Sequence, residues 1–487
     1  MDVLFTHSYF LRFDPKEFKA MMPYPPLGTL YAARFAREHG FTVALADSML
    51  ALNEKHILAP LDEHRPKVLV IYDDDFNYLT KMCLRRMREA AFTMTGLAKQ
   101  RGCTVVVHGS DPVDHLDQYF SHGADYIICG EGEETLVELL NFLLKGTGAR
   151  DRINGLAYRD GGKVVVTQPR PVRHELDELP FPAWDLVDVH TYRRTWKERH
   201  GYFSANIVTT RGCPFHCNWC AKPIYGQVYN SRSPQNVVEE MLWMKTHVQP
   251  DHLWFCDDIF GLKPGWVQEF SAEVLKRDAR IPFKCLSRVD LLLKGNTIDA
   301  LKSAGCQTVW VGAESGSQKI LDAMEKGTTV EQIYEATRRL KRSGIRVGFF
   351  LQYGYPGETR ADIEATLRMV KDCLPDDIGV SVSYPLPGTK FYENVKAQLG
   401  EKQNWIESAD LDMMYHGTYP ADFYRALHKV THKRLRLWQS AALLKSKGLH
   451  PWNANRSELR RIVTGAYHYL TLPSAEHKMN TLAASGS

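Results

Sequence analysis

Several features are scarce or missing in this sequence of 487 residues, and each absence excludes a class of protein. No apolar run reaches the roughly 18 residues that a membrane-spanning helix needs. The opening MDVLFTHSYF has no positive segment ahead of a longer apolar one, so no secretory signal peptide is expected. Net charge is only +4 and no dense Lys/Arg tract occurs, which argues against nucleic-acid binding. A cytoplasmic protein is expected.

The ten cysteines do not suggest a disulfide framework. In a cytoplasmic chain cysteines are more often free thiols or metal ligands. Seven of them are scattered singly along the sequence. Five of these lie in apolar or Gly-flanked stretches and are expected to be small core residues: Cys103, Cys129, Cys256, Cys285 and Cys306.

Residues 1–145 alternate short apolar runs with helical patterns, which predicts a doubly wound, Rossmann-like α/β domain. Ligands of such domains bind at the carboxyl ends of the strands. No G-x-G-x-x-G follows the first run, which argues against a dinucleotide and leaves a flavin, another nucleotide or cobalamin open. The predicted strands are Val3–Thr6, Phe41–Ala46, Val68–Tyr72, Thr104–Val107 and Tyr126–Cys129.

Residues 146–202 contain a Gly-Gly pair and a proline-rich stretch, and a hairpin followed by a linker is expected there. From 203 to 395 the alternation returns with six strands, which predicts a partial (β/α)6 barrel of the TIM type. Its chemistry would lie at the C-terminal strand ends. The predicted strands are Asn206–Thr209, His252–Cys256, Phe283–Ser287, Thr308–Gly312, Val347–Leu351 and Ile378–Tyr384.

Residues 396–487 show no strand alternation and are expected to form a helical C-terminal region that packs on the barrel or contacts the substrate. Phe423, Leu427 and Val430 lie on one helical face. The same helix is rich in Lys and Arg. That basic face is either simply solvated or meets an anionic partner or a membrane surface.

Three cysteines stand close together in TRGCPFHCNWC, directly after the first predicted barrel strand. The spacing of Cys213, Cys217 and Cys220 allows each thiolate to bind one iron of a [4Fe–4S] cluster, with the fourth iron left open. Structural zinc is the main alternative, but it prefers four ligands, commonly in two pairs, and no second pair follows. His216 lies inside the triplet, where it is poorly placed as a fourth ligand.

The cysteine loop resembles the radical S-adenosylmethionine (radical SAM) superfamily, whose motif is C-x-x-x-C-x-aromatic-C, with Trp219 in the aromatic position. The resemblance covers about residues 203–395. It implies the partial barrel, the cluster and S-adenosylmethionine chelating the open iron. It also implies reductive cleavage to a deoxyadenosyl radical, with electrons from a donor such as flavodoxin or ferredoxin.

Polar residues end the later barrel strands, and their positions match those where the superfamily binds S-adenosylmethionine. The match is one of position only, because the common Gly-Gly-Glu after the second strand is absent. Each of these residues alone could equally be a capping or salt-bridge group. The candidates are Asp257, Asp258, Arg288, Glu314 and Gln352.

The first domain resembles the cobalamin-binding domain fused to many radical SAM proteins, although His108-Gly109-Ser110-Asp111 stands where Gly-Gly-Pro-His is usual. No D-x-H-x-x-G follows the first strand, so cobalamin is expected without a protein histidine ligand. The loop that begins at Tyr72 and Asp73 would face the lower side of the corrin, or else is a solvated acidic loop. The remaining expected contacts are Gly28, Gly130, Glu131 and Gly132.

The combined resemblance implies a cobalamin-dependent radical SAM C-methyltransferase, which explains why both domains share one chain. Its small-molecule substrate would be a natural product, lipid or tetrapyrrole with an unactivated carbon. Two alternatives stay open: oxidative cyclisation, rearrangement or ring contraction, as in the anaerobic magnesium-protoporphyrin ester cyclase family, and a non-catalytic cobalamin or cluster sensor. A monomer is expected.

Overall fold

The structure, a computed structural model, describes residues 1–447 and 456–484. It contains an N-terminal α/β domain, a central half-barrel and C-terminal helices, so the predicted fold class is confirmed. The N-terminal sheet has seven strands in the order β2-β1-β3-β4-β5-β6-β7. They are β1 Val3–Thr6, β2 Val43–Leu45, β3 Val68–Tyr72, β4 Thr104–His108, β5 Tyr126–Ile128, β6 Leu156–Asp160 and β7 Lys163–Val166.

Strands β1 to β5 are parallel, and β1, β3 and β5 read as short apolar runs because helices cover both faces of the sheet. The strand order reverses between β1 and β3, which is where ligands bind in doubly wound sheets. The helices of this part are α1 Pro15–Ala20, α2 Leu27–Glu38, α3 Leu58–His64, α4 Tyr78–Lys81, α5 Arg85–Lys99, α6 Ser110–Asp114, α7 Leu116–Ser121 and α8 Glu133–Lys145.

The hairpin expected after residue 146 is β6–β7, and it joins the N-terminal sheet as an antiparallel extension of β5. The segment expected to be a linker also contains a helix, α9 Val189–His200. It ends at Gly201, whose φ of 80° closes the last turn in the left-handed region. Residues 146–202 therefore complete the first sheet before the chain enters the barrel.

The half-barrel is an open sheet of six parallel strands with β8 and β15 at its two edges. Its first strand ends two residues earlier than predicted, because the Asp257 carboxylate takes the backbone N–H groups of Thr209 and Thr210, each at 2.7 Å. The barrel strands and a short side ribbon (β9–β10) are β8 Ser204–Ile207, β9 Thr210–Arg211, β10 Asn230–Ser231, β11 His252–Phe255, β12 Phe283–Ser287, β13 Cys306–Glu314, β14 Arg346–Tyr353 and β15 Asp377–Val382.

Helices cover the outer face of the barrel sheet, and its outward side chains form the largest core of the protein. Cys285 and Cys306 are buried in this core, as predicted. The helices are α10 Pro234–His247, α11 Trp266–Lys276, α12 Val289–Leu292, α13 Thr297–Ala304, α14 Gln318–Ala323, α15 Val330–Arg342, α16 Arg360–Cys373 and α17 Lys390–Val395.

Two long C-terminal helices, α18 Ala421–Lys447 and α19 Arg456–Ala484, pack against each other. The predicted stripe of Phe423, Leu427 and Val430 is buried. The basic face of α18 is not simply solvated, because Arg434 pairs with Glu476 at 2.8 Å and Arg436 with Asp377 at 2.7 Å. Within the described ranges, no helix is both long and apolar enough to cross a membrane.

Candidate active site

The carboxyl ends of the two parallel sheets face each other, and side chains connect them directly. Lys81, at the end of α4, pairs with Asp258 after β11 at 2.7 Å. The Tyr225 hydroxyl donates to Asp75, after β3, at 3.4 Å. The loops expected to bind ligands in the two domains therefore border one shared region.

The cysteine loop leaves the barrel through a turn that requires glycine. Gly212 has a φ of +80°, and a Cβ there would lie 2.2 Å from the carbonyl oxygen of Val228. Cys213 is 8% exposed, whereas Cys217 and Cys220 are half-buried. Burial raises the pKa of the Cys213 thiol, and it raises that of Cys220 to about 12. Such thiols ionise readily only when a metal replaces the proton.

The arrangement of these thiols suits a cluster better than a single ion. Among residues 1–447 and 456–484, no three His, Cys, Asp or Glu side chains are grouped as ligands of one metal ion. A cubane places each thiolate on a different iron, so its ligands stand farther apart. Trp219, beside the third cysteine, has a buried indole N–H with no hydrogen-bond partner in the described structure. The loop residues therefore fit a bulky group with acceptor atoms.

The two aspartates after β11 have different roles. Asp257 is buried and accepts four hydrogen bonds from Thr209 and Thr210, at 2.7 to 2.9 Å. Burial outweighs these contacts and raises its pKa to about 6. The Asp258 side chain is 41% exposed and meets only Lys81 among the residues described. Asp257 thus anchors the start of the cysteine loop, and Asp258 is the carboxylate available to a ligand.

Glu314 and Arg288 are held by one residue that the sequence did not single out, Lys326. The Lys326 ammonium pairs with the Glu314 carboxylate at 2.8 Å. The backbone carbonyl oxygen of Lys326 accepts a hydrogen bond from Arg288 at 2.9 Å. Glu314 itself has a φ of 55°, where the register of β13 shifts against β14. A non-glycine residue in this region is strained, as is common at functional sites.

Arg288 and Lys326 also approach aromatic rings of the cysteine loop, and Gln352 is the remaining barrel candidate. The Arg288 guanidinium lies 3.6 Å from the centre of the Phe215 ring, inside the cysteine loop. Gln352 is buried and donates to the Ser383 hydroxyl at 2.9 Å. The Lys326 ammonium lies 5.7 Å from the Trp219 ring. The structure thus gathers Trp219, Arg288 and Glu314 around one end of the barrel.

In the N-terminal domain, the rings of Tyr72 and His108 stack at the ends of β3 and β4, with centroids 3.9 Å apart. His108 Nε2 contacts the carbonyl oxygen of Gly130 at 2.9 Å, while its buried Nδ1 has no partner in the described structure. Burial lowers the pKa of His108 to about 4, so the ring is neutral. A Cβ at Gly132 would lie 2.6 Å from the Tyr72 hydroxyl, so only glycine fits beside the stack.

The acidic loop after β3 is buried, which contradicts its interpretation as a solvated loop. Asp73 accepts the N–H of Ser8 at 2.7 Å, and Asp74 accepts that of Gly28 at 2.9 Å. Burial raises the pKa of Asp73 to about 6. Gly109 lies against Asp73, where a Cβ would come within 3.1 Å of the side chain.

Glu131 faces the barrel in the structure. Together with Glu133 it contacts the Arg211 guanidinium, whose distance to Glu133 is 2.6 Å. All three side chains are buried. Ser110 begins α6 next to this face and is also buried. The motif that contains Gly130, Glu131 and Gly132 therefore joins the N-terminal domain to the residue that precedes Gly212.

Similarity to known proteins shows which family the chain belongs to. Residues 207–370 match the radical SAM superfamily. An uncharacterised methyltransferase of Pyrococcus horikoshii is 30% identical over 395 residues, covering 80% of this chain and 82% of its relative. The chain belongs to the radical SAM superfamily.

Two further similarities are to a cyclase and to a solved enzyme structure. The anaerobic magnesium-protoporphyrin IX monomethyl ester cyclase of Rubrivivax gelatinosus is 29% identical over 287 residues, 57% of this chain and 49% of the cyclase. The solved structure of the cobalamin-dependent S-adenosylmethionine radical enzyme OxsB, with aqua-cobalamin and S-adenosylmethionine bound, matches with a TM-score of 0.71 at 18% identity. It covers 98% of this chain and 71% of OxsB, so this radical SAM enzyme has the same overall fold.

Sequence reasoning missed three residues of this radical SAM site: Lys81, Lys326 and Glu133. Glu133 lies within the motif quoted for cobalamin, where its neighbour Glu131 drew attention. Lys81 pairs with Asp258, 177 positions away, and Lys326 reaches Glu314 across helix α14, and nothing in the local sequence marks either lysine. The sequence cannot show which lysine pairs with an acid of the site, because that depends on where the fold places the acid.

Proposed function

We propose that the protein is a cobalamin-dependent radical SAM methyltransferase that acts on a carbon atom of a small-molecule substrate. The observation that carries the proposal is the direct contact between the ligand-binding ends of the two sheets, marked by the Lys81–Asp258 pair. A hydrogen-abstracting group and a methyl donor must reach the same carbon, so both have to border one cavity. The methyltransferase among the relatives supports the same reaction class.

Within this proposal, Cys213, Cys217 and Cys220 hold the cluster, and the barrel strand ends hold S-adenosylmethionine. Asp258 would bind the methionine ammonium in place of Lys81. Arg288, which donates to Asp290 at 3.0 Å and to the Lys326 carbonyl at 2.9 Å, would turn part of its guanidinium to the methionine carboxylate. Glu314, kept in place by Lys326, and Gln352 bind the ribose. When bound, the cluster and S-adenosylmethionine would supply a reductive cleavage that yields a deoxyadenosyl radical.

Cobalamin would lie against the carboxyl ends of β3, β4 and β5. The buried His108 Nδ1, which has no partner among residues 1–447 and 456–484, is available there for a polar ligand. Gly109 and Gly130 have positive φ values and leave bare backbone at this edge. Gly28, Tyr72 and Asp73 would line the side of the site that faces the corrin. The residues present therefore fit the group.

The test is product analysis of the anaerobically reconstituted enzyme with cobalamin, S-adenosylmethionine and candidate substrates. Methylation by this route consumes two molecules of S-adenosylmethionine, giving one deoxyadenosine with methionine and one S-adenosylhomocysteine per methylated product. Asp258→Asn is expected to slow deoxyadenosine formation, whereas Asp299→Asn on the outer helix α13 is the matched control. Absence of S-adenosylhomocysteine during turnover would contradict methylation.

A second candidate is oxidative cyclisation without methyl transfer, favoured by the similarity to the magnesium-protoporphyrin ester cyclase. In that case deoxyadenosine accompanies an unmethylated, cyclised product, and no S-adenosylhomocysteine forms. The same product analysis separates the two reactions. A monomeric state, a cytoplasmic location and a flavodoxin or ferredoxin donor stay predictions.

A further inference from the structure

The inner face of the half-barrel is lined by side chains that are not packed into a core. Residues alternate along the strands, and those on the outer side, such as Phe255 and Phe283, are fully buried under the helices. Those on the other side are only half-buried, and Phe350 is 39% exposed. The half-buried group comprises Trp254, Lys284, Leu286, Trp310 and Ser381. These side chains are therefore partly accessible from the side of the sheet that the helices do not cover.

Trp310 and Phe350 form a flat aromatic surface on this inner face. Their ring centroids are 4.9 Å apart and the planes are inclined by 30°. The Trp310 ring rests on the backbone of Gly348, where a Cβ would lie 2.4 Å from the ring. Phe350 rests in the same way on Gly379, with a corresponding distance of 3.1 Å. The two rings stack on each other, and Phe350 is 39% exposed, so the pair presents aromatic surface to the interior of the half-barrel.

Lys284 places a cation on the same face without an anionic partner. Its ammonium lies 4.9 Å from the Trp254 ring and 5.4 Å from the Tyr24 ring. In the part of the chain that the structure describes, it makes no hydrogen bond and no ion pair. Glu17 attracts it from a distance, but that carboxylate pairs with Lys16 at 3.2 Å. Desolvation lowers the pKa of Lys284 to about 8.

The lysine, the aromatic surface and the S-adenosylmethionine site follow one another along the barrel axis. Lys284 pairs in register with Thr308, near the start of β13, and Phe350 pairs with Gly312, near its end. At about 3.3 Å per residue, Lys284 lies roughly 13 Å before Arg288 on the same chain segment. A ligand anchored at Lys284 can therefore lie across Trp310 and Phe350 and still reach the site of chemistry.

We propose that this face binds the substrate, and that the substrate is a planar apolar ring system with a carboxylate: Lys284 pairs with the carboxylate while Trp310 and Phe350 stack on the ring. The choice of ligand follows from complementarity. A flat aromatic surface favours a flat apolar partner, and a desolvated ammonium among aromatic rings needs an anion. The assignment of this ligand as substrate rests on the proposed function.

The test uses two fluorescent probes of matched shape, pyrenebutyrate and the neutral pyrenebutanol, bound to the reconstituted holoenzyme. The carboxylate probe is expected to bind at least about tenfold more tightly than the alcohol, because only it can pair with Lys284. Lys284→Gln is expected to remove that preference and leave alcohol binding unchanged, whereas Lys284→Arg retains it. Lys276→Gln, whose side chain is 72% exposed on α11, is the matched control.

A second variant tests the aromatic surface. The added methyl group of Gly348→Ala would clash with the Trp310 ring and displace it. The affinity for both probes is expected to fall severalfold. Thermal melting confirms that the variant is folded. Equal affinity for the two probes, or an unchanged preference in Lys284→Gln, would overturn the proposal. Deoxyadenosine formation is measured in the same samples, so an enzyme that cleaves S-adenosylmethionine but ignores the probes refutes this site and not the proposed function.

Discussion

The acidic loop after β3 and the inner face of the barrel both carry charged side chains, and they differ in the partners that the described residues provide. In the loop after β3, the carboxylates of Asp73 and Asp74 accept hydrogen bonds from the backbone N–H groups of Ser8 and Gly28. On the inner face of the barrel, Lys284 receives no partner from the described residues. The contrast indicates that the first domain satisfies these charges with its own backbone, whereas the charge of Lys284 is available to a ligand.

The largest expected effect tests the barrel end itself. Cys220→Ala is expected to abolish cluster assembly, because only two thiolates of the triplet remain. Iron and sulfide analysis of the reconstituted protein measures the loss, and deoxyadenosine formation should fall below detection. Cys129→Ala, which removes a half-buried thiol in the other sheet, serves as the control. Full iron content in Cys220→Ala would contradict the assignment.

The next effect concerns the contact between the two sheets. Arg211→Met leaves Glu131 and Glu133 buried without their cation, and is expected to destabilise the protein by about 3–5 kcal/mol. Urea unfolding measures the difference. Arg85→Met breaks a pair whose arginine is 61% exposed, and should cost less than about 1 kcal/mol. Equal losses in the two variants would show that the buried contact contributes nothing special.

A smaller effect, of opposite sign, is expected for the barrel lysine. Because desolvation lowers the pKa of Lys284 from 10.5 to about 8, the charged form is penalised in the folded state. Lys284→Met is therefore expected to stabilise the ligand-free protein, on the order of 1–3 kcal/mol below pH 8. The gain should shrink as the pH rises toward 10.5. Urea unfolding across this range checks it, and a gain that grows with pH would refute it.

The smallest effect is expected at the N-terminal edge. Burial raises the pKa of Asp73 from 3.8 to about 6, so its ionised form is penalised above that pH. Asp73→Asn keeps an acceptor for Ser8 and should stabilise the protein by about 1 kcal/mol above pH 6. This gain should vanish as the pH falls toward 3.8, opposite to the trend for Lys284→Met. The same unfolding series measures both, and a pH-independent difference would contradict the assigned cause.

The elements could be predicted, and the cluster ligands could be proposed, because the information is local. Apolar runs locate the strands, and the spacing of Cys213, Cys217 and Cys220 lies within a single loop. Partnerships between distant segments could not be predicted. Asp257 looked equivalent to Asp258 until the fold placed Thr209 and Thr210 against it. Glu131 drew attention as a cobalamin contact, but its carboxylate meets Arg211, eighty positions away.

Tyr24 is another case of long-range placement. In the structure its hydroxyl contacts Ser204 at 3.1 Å, and its ring covers Lys284 inside the barrel. No periodicity indicates that a residue before the first long helix enters another domain. Such contacts depend on the final packing of the two units and not on propensity.

The buried group of Arg211, Glu131 and Glu133 also bears on how this protein can evolve. A lineage that lost one acid alone, with both domains kept, would leave a buried group whose charges no longer match, one residue before the glycine of the cysteine loop. Replacement of Glu131 or Glu133 would thus favour replacement of Arg211 as well. Across descendants the arginine and the two acids should be inherited or lost together.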